Sequence, residues 1–156
     1  MRIGIVSDTH RMENFINKAI PYLKECDLII HAGDNFIDSK YIHKMTGIDI
    51  IAVKGNCDFE HIEDEIIFYI EDKTIFLCHG DNYGVKYGLN EIERAAINYE
   101  ANIVIFGHTH IPLSIKKDNI IYINPGSTSI PRGGSSRQFV IMNIDEGKIN
   151  LEEINI

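Results

Sequence analysis

Five short stretches carry residues able to do chemistry: Asp8-Thr9-His10, Gly33-Asp34, Gly55-Asn56, His79-Gly80 and Gly107-His108-Thr109-His110. Each follows a short apolar run rich in β-branched residues, so each reads as the loop that ends a buried strand. In open α/β sheets ligands bind beyond the carboxyl ends of the strands, and the five tips are therefore expected to share one crevice. Pooled, they offer two carboxylates, one amide oxygen and four imidazoles. That set suits borderline divalent metals, Mn, Fe, Zn, Co or Ni, and suits neither Ca nor an all-oxygen Mg cage. Seven ligands are too many for one ion. With one carboxylate shared they supply four to each of two ions, roughly 3.5–4 Å apart with a water between them, the geometry of two-metal hydrolysis. His108 and His110, two apart on what reads as an extended segment, are expected to point to the same side and to serve different ions.

Such loops need strands to deliver them. Residues 2–7 read as a buried strand, and Phe15, Ile16, Ala19, Ile20 and Leu23 then fall on one helical face that Pro21 should kink or split. A second strand is expected at 28–31, and a short helix at 39–45 capped by Asp38 or Ser39. A third strand over 50–53 completes a β-α-β-α-β order, which predicts a parallel sheet covered by helices. The second half changes character. Strands at 66–70 and 74–78 flank a polar turn, Leu89, Ile92, Ala96 and Tyr99 mark a helix, and a further strand occupies 103–106. Two more hairpins are expected, 113–116 with 120–124 and 138–144 with 148–154. Two packed sheets with helices outside, forming one domain over residues 1–156, accommodate this order.

Composition narrows the partners. The 156 residues hold 23 acidic side chains against 15 Lys plus Arg, a formal charge of −8, with no basic stripe for extended nucleic acid or an anionic membrane face. A chain of this length buries enough apolar surface to fold without a metal staple, so a metal would serve chemistry. Cys26, Cys57 and Cys78 form an odd set at no zinc-like spacing, which argues for a reducing compartment. No apolar run suggests a signal core or a membrane span. The cytoplasm is the expected location, and a homo-oligomer is compatible with everything in the sequence.

Taken in order, Asp8-x-His10, Gly33-Asp34, Gly55-Asn56, His79 and Gly107-His108-x-His110 resemble the ordered motifs of the calcineurin-like metallophosphoesterase superfamily. Small size and the Asn124-Pro125-Gly126-Ser127 stretch are most similar to its YfcE-type phosphodiesterase branch, over about residues 1–150. The resemblance implies a four-layer αββα sandwich of two mixed β-sheets. It implies that Asp8, His10 and His110 hold one divalent ion, that Asn56, His79 and His108 hold the other, and that Asp34 bridges them. It further implies a hydrolase in which Asp34, Asn56 and His108 act through the metals and a bridging hydroxide in line with the P–O bond of a small phosphodiester or nucleotide-like substrate.

One position departs from the pattern. Many members carry a histidine after the asparagine, where it is thought to touch the phosphate and protonate the leaving group. Here Cys57 occupies that place. A thiol is a poorer proton donor than imidazole near neutral pH, so activated diesters are expected to outpace alkyl monoesters. The other polar residues read more simply. His31 is expected to be buried and hydrogen-bonded, Asp58 to orient neighbours or face solvent, and Cys26 and Cys78 to fill core space. His43 and His61 are assigned no role, and Arg11, Arg132 and Arg137 read as surface arginines. The competing function is a non-catalytic protein-interaction scaffold like the eukaryotic retromer subunit of the same fold. A complete seven-residue ligand set argues for the enzyme.

Overall fold

Alternation along the strands sorts the apolar side chains into three separate layers, and this sets the architecture. The computed structural model describes all 156 residues. The elements run β1 (Arg2–Val6), α1 (Glu13–Leu23), β2 (Leu28–His31), α2 (Ile37–Thr46), β3 (Ile50–Ala52), β4 (Glu65–Ile70), β5 (Lys73–Cys78), α3 (Asn90–Asn98), β6 (Ile103–Ile105), β7 (Leu113–Lys117), β8 (Ile120–Asn124), β9 (Gln138–Asp145) and β10 (Lys148–Asn155). Ile3 and Ile5 of β1, Ile75 and Leu77 of β5, and Ile103 and Ile105 of β6 meet in the layer between two sheets. Neighbours of opposite parity point outward. Val6, Ile29 and Ile141 pack beneath α1 and α2, whereas Phe76, Cys78, Val104 and Tyr122 pack beneath α3. The result is the expected αββα sandwich.

Both sheets are mixed. The first has the order β10-β9-β1-β2-β3, with β1, β2 and β3 parallel and β9 antiparallel to β1. The second has the order β4-β5-β6-β8-β7, with β5, β6 and β8 parallel. Parallel pairing brings the carboxyl ends of β1, β2 and β3 to one edge, and those of β5 and β6 to the matching edge of the other sheet. Main-chain bonds then tie the emerging loops together. Asp8 N–H donates to Gly33 O at 3.0 Å and Gly107 N–H to His79 O at 3.0 Å. All three expected hairpins form, joining β4 to β5, β7 to β8 and β9 to β10.

Two local expectations need correction. Pro21 does not split α1, which continues to Leu23. The proline stands in the last turn, where it removes little hydrogen bonding, and Ile16, Ala19, Ile20 and Leu23 hold the helix down by burial. α2 is capped by neither Asp38 nor Ser39. It starts two residues earlier than the sequence suggests, with Phe36 at the N-cap and no side-chain cap bond. The Asp38 carboxylate has turned inward, toward the loop after β1.

Candidate metal centre

Ligand atoms of Asp8, His10, Asp34 and His110 gather within 4.8 Å of one another. Asp8 is fully buried and follows β1 directly, while Asp34 is held in the β2–α2 loop. His110 Nδ1 lies 2.6 Å from Ile130 O and must donate to it, so in the neutral ring Nε2 offers a lone pair. That Nε2 stands 3.1 Å from Asp8 Oδ1 and 3.2 Å from His10 Nε2. Asp8 Oδ1 is buried and receives no well-aligned hydrogen bond. A carboxylate oxygen facing an imidazole lone pair is stable only with positive charge at the junction, either a proton or a cation. Without metal the proton is favoured. Burial opposes it, but contact with Asp8 outweighs burial and raises the His110 pKa above its ordinary value.

A second group adjoins the first through Asp34. His79 Nδ1 must donate to Ala32 O at 2.7 Å, which aims its Nε2 lone pair at Asp34 Oδ1, 3.3 Å away, and at His108 Nδ1, 3.2 Å away. Burial, followed by His79 and Lys86, lowers the His108 pKa and favours the neutral, ligating form. Asn56 is different. It is exposed and its amide nitrogen rests 3.5 Å from Cys57 Sγ, with no hydrogen bond to the imidazoles. The Cys57 backbone N–H donates to Asp34 Oδ1 at 3.0 Å, which pins this loop to the shared carboxylate. Partial burial of its sulfur, and then the adjacent Asp34 charge, push the Cys57 thiol up to about 11.

The donor set fits divalent metal on these grounds alone. Two imidazoles are oriented by carbonyls, lone pairs point inward, and a buried carboxylate oxygen lacks an aligned partner. Further groups hold the frame. Ser7 Oγ donates to Asp8 Oδ2 at 2.7 Å, His108 N–H to the same oxygen at 3.1 Å, and Ser127 Oγ to Asp8 O at 2.8 Å. Gly33 N–H donates to His31 Nδ1, so the proton of that buried ring sits on Nε2 and is given to Thr9 Oγ1 at 3.0 Å. Thr9 Oγ1 in turn donates to Asp38 Oδ2 at 2.6 Å, which also accepts Arg11 N–H at 2.8 Å. His31 is therefore the buried, hydrogen-bonded residue that its position suggested. Asp58 orients neighbours rather than facing solvent, accepting from Phe36 N–H and Gly55 N–H at 2.8 Å each.

Several of these roles escaped the sequence. Asp38 reads as a helix cap, and Ser129, whose Oγ donates to Thr9 O at 2.5 Å, carries no motif; nothing local marks a residue whose partner lies 20 or more positions away. Backbone conformation corrects another expectation. His108 and His110 are not on an extended segment but both adopt positive φ, 66° and 60°. Their rings still reach different groups because each residue turns the chain. Asp8, His10 and Asp34 share the left-handed conformation, at φ 53°, 47° and 61°. Gly107 has no room for a side chain, because a Cβ there would run into Ser7 Oγ and Asp8 Oδ2. Arg11 and Arg137 are structural rather than free: Arg11 Nε donates to Asn35 Oδ1 at 3.1 Å, and the Arg137 guanidinium lies 4.0 Å over the Phe15 ring.

Comparison with known proteins gives the family and the fold. The family model for the calcineurin-like phosphoesterase superfamily domain matches residues 1–147. The chain is 31% identical to the probable metallophosphoesterase YsnB of Bacillus subtilis, over 93% of its own length and 85% of that protein's. It is 32% identical to the phosphodiesterase MJ0936 of Methanocaldococcus jannaschii, with 86% and 91% covered. A crystal structure of a Vps29 variant from Entamoeba histolytica superposes with a TM-score of 0.81, covering 100% and 99% of the two chains at 17% identity, which shows the shared fold alone. No helix is long and apolar enough to cross a membrane. On a family match that spans almost the whole chain, this protein belongs to the calcineurin-like phosphoesterase superfamily.

Proposed function

We propose that residues 1–156 act as one metallophosphoesterase domain, a divalent-metal-dependent phosphodiesterase with a dinuclear centre. The observation that carries this is the pair of abutting ligand groups joined by Asp34, with lone pairs of His79 and His110 turned inward by main-chain carbonyls. In this reading Asp8, His10 and His110 would hold one ion, Asn56, His79 and His108 would hold the other, and Asp34 would be shared between them. Asn56, exposed in the structure, would offer its amide oxygen to the second ion. Two bound divalent ions supply Lewis acidity and an activated water for in-line attack on phosphorus.

The chain's own residues set the charge and the geometry. Only Asp8 and Asp34 are anionic among the seven, and a neutral amide at Asn56 leaves the loaded site positive enough to accept a phosphoester. His108, half-buried at the mouth, lies where the phosphate would enter. Cys57, its thiol protonated and held beside Asp34, offers a weak donor to the leaving group, so departure of a stable anion such as nitrophenolate is favoured over an alkoxide. Substrates of this kind are small and nucleotide-like; the acidic surface opposes long polyanions, and the cytoplasm supplies Mn, Ni, Co, Fe or Zn.

Hydrolysis of bis-p-nitrophenyl phosphate and of p-nitrophenyl phosphate, measured across Mn, Ni, Co, Zn and Mg, tests the reading. Metal-dependent turnover favouring the diester, abolished in Asp34→Asn, is expected. Wild-type protein inactive with every cation would favour the protein-interaction scaffold.

A further inference from the structure

Beside the ligand loops lies a cavity of about 460 Å³ lined by Val85, Lys86, Leu89, Phe106, Thr109, Ile111, Pro112, Leu113 and Arg132. Its wall is shared with the site, since Thr109 stands between His108 and His110 and Arg132 N–H donates to His110 O at 3.1 Å. The volume falls within the range of small-ligand pockets, about 300–1,000 Å³. Apolar carbon forms most of the lining. The one hydroxyl is already committed: Thr109 Oγ1 accepts from Asn124 Nδ2 at 3.0 Å and from Ile111 N–H at 3.2 Å, and donates to Ile111 O. Such a pocket recognises mainly apolar surface and shape, and the side-chain donors it leaves free are the cationic ends of Lys86 and Arg132.

Charge is placed at its mouth. Lys86 and Arg132 are both exposed and both line the cavity, and Arg132 is joined to His110 by the main-chain bond from its N–H. Neither pairs with a carboxylate of the chain, in contrast to Lys117, which is tied to Glu93. A larger cavity of about 800 Å³, between α2 and residues 61–66, is lined by Asp49 and Glu63 as well as Lys40 and by none of the seven ligand residues.

Resting on the phosphodiesterase reading above, we propose that the Val85–Arg132 cavity is the subsite for the non-reacting organic group of the substrate. That group is a planar, largely apolar ring, aryl or nucleobase, bonded to a phosphate that Lys86 and Arg132 help to hold at the metal centre. The enzyme then selects diesters by the bystander group and tolerates changes in its hydrogen-bonding edge.

Three diesters with one leaving group isolate this contribution: methyl, phenyl and 5′-thymidyl esters of p-nitrophenyl phosphate, hydrolysed by the metal-loaded enzyme. Both ring-bearing esters are expected to exceed the methyl ester in kcat/KM by at least about tenfold, carried mainly by KM. Ile111→Ala, at a rim position that is 45% exposed, should narrow that ratio toward one without unfolding the chain. Methyl-resolved NMR of metal-free protein gives a second readout: diphenyl phosphate should shift the Val85, Leu89, Ile111 and Leu113 methyl signals, and dimethyl phosphate should not. Equal kcat/KM for all three esters, or unmoved methyl signals with diphenyl phosphate, overturns the subsite. Absence of metal-dependent turnover with every ester, while those methyls still shift, instead removes the hydrolase reading and leaves the cavity as a ring-binding site.

Discussion

The two halves of the ligand cluster are built to different standards. Asp8 and His110 are buried and braced from several sides: Ser7, Ser127 and His108 N–H hold Asp8, while Ile130 O holds His110. Across Asp34, Asn56 and Cys57 stand exposed on a loop held to the site chiefly through backbone N–H groups and Asp58. His79 is the buried anchor of that second half. If each half takes a cation as proposed, the braced, dehydrated half would hold its ion the more tightly and stay in shape. The open half would then exchange its ion faster and be the side that admits substrate. The family departure at Cys57 falls on the open side, where a changed side chain alters chemistry without disturbing the core.

The largest effect should come from the residue both halves share. Asp34→Asn removes the bridging charge and is expected to lower kcat/KM on bis-p-nitrophenyl phosphate by about 10³-fold or more. Metal content by elemental analysis should fall from two ions to one or fewer. An Asp34→Asn enzyme that retained two ions and full rate would erase the distinction between halves, because neither would then depend on the bridge.

Next in size is the brace behind the buried half. Asp38→Ala strands Thr9 Oγ1 and Arg11 N–H and loosens the loop that carries Asp8 and His10. Metal affinity should drop roughly 10–100-fold, and the metal-free protein should lose about 1–3 kcal/mol in denaturant unfolding. Isothermal titration separates the two sites: the tighter one should weaken and the looser one should not. Cys57→His probes the open half. It should raise turnover of alkyl diesters by up to about 10²-fold with little change for nitrophenyl esters, measured as a ratio of kcat values. No gain on alkyl leaving groups would remove the thiol from any account of specificity.

Acid gives the smallest effect and divides the histidines differently. Burial, the leading cause in each case, holds His10, His31 and His108 below the ordinary 6.5. The unfolded chain therefore takes up protons that the native chain refuses, and their contribution is lost as pH falls through about 6.5. His110 has the opposite sign. Its raised pKa stabilises below 6.5 and that share is lost as pH rises through the native value. Three groups against one predict a lower melting temperature for metal-free protein at pH 5.5 than at pH 7.5. His31→Gln, which cannot titrate, should shrink the difference by roughly 2–4 °C in paired thermal melts.

Much of the fold was legible because its signals are local. Short β-branched runs, helical spacing in α1 and α3 and polar two- or three-residue turns each specify an element within a few residues of chain. The five motifs were legible for the same reason, since strand ends and ligand residues adjoin in sequence. Left-handed φ at Asp8, His10, Asp34, His108 and His110 was not, because none of these is glycine and only the packed surroundings impose it. Asp38 shows the limit most clearly. Its neighbours in sequence make it a cap, and a threonine 29 residues away makes it the floor of the site.

The residue types, their order and their placement after strands were enough to name the family: donors of intermediate hardness, two of them carboxylates, set after strand ends. Tertiary structure alone decided which imidazole nitrogen faces inward, which half is braced and which is open, and that an apolar cavity with two unpaired cations adjoins His108 and His110. The reason is physical. Donor chemistry belongs to each side chain wherever it stands, whereas lone-pair direction, burial and cavity shape arise only when carbonyls, hydroxyls and apolar walls from distant segments are brought within a few ångströms.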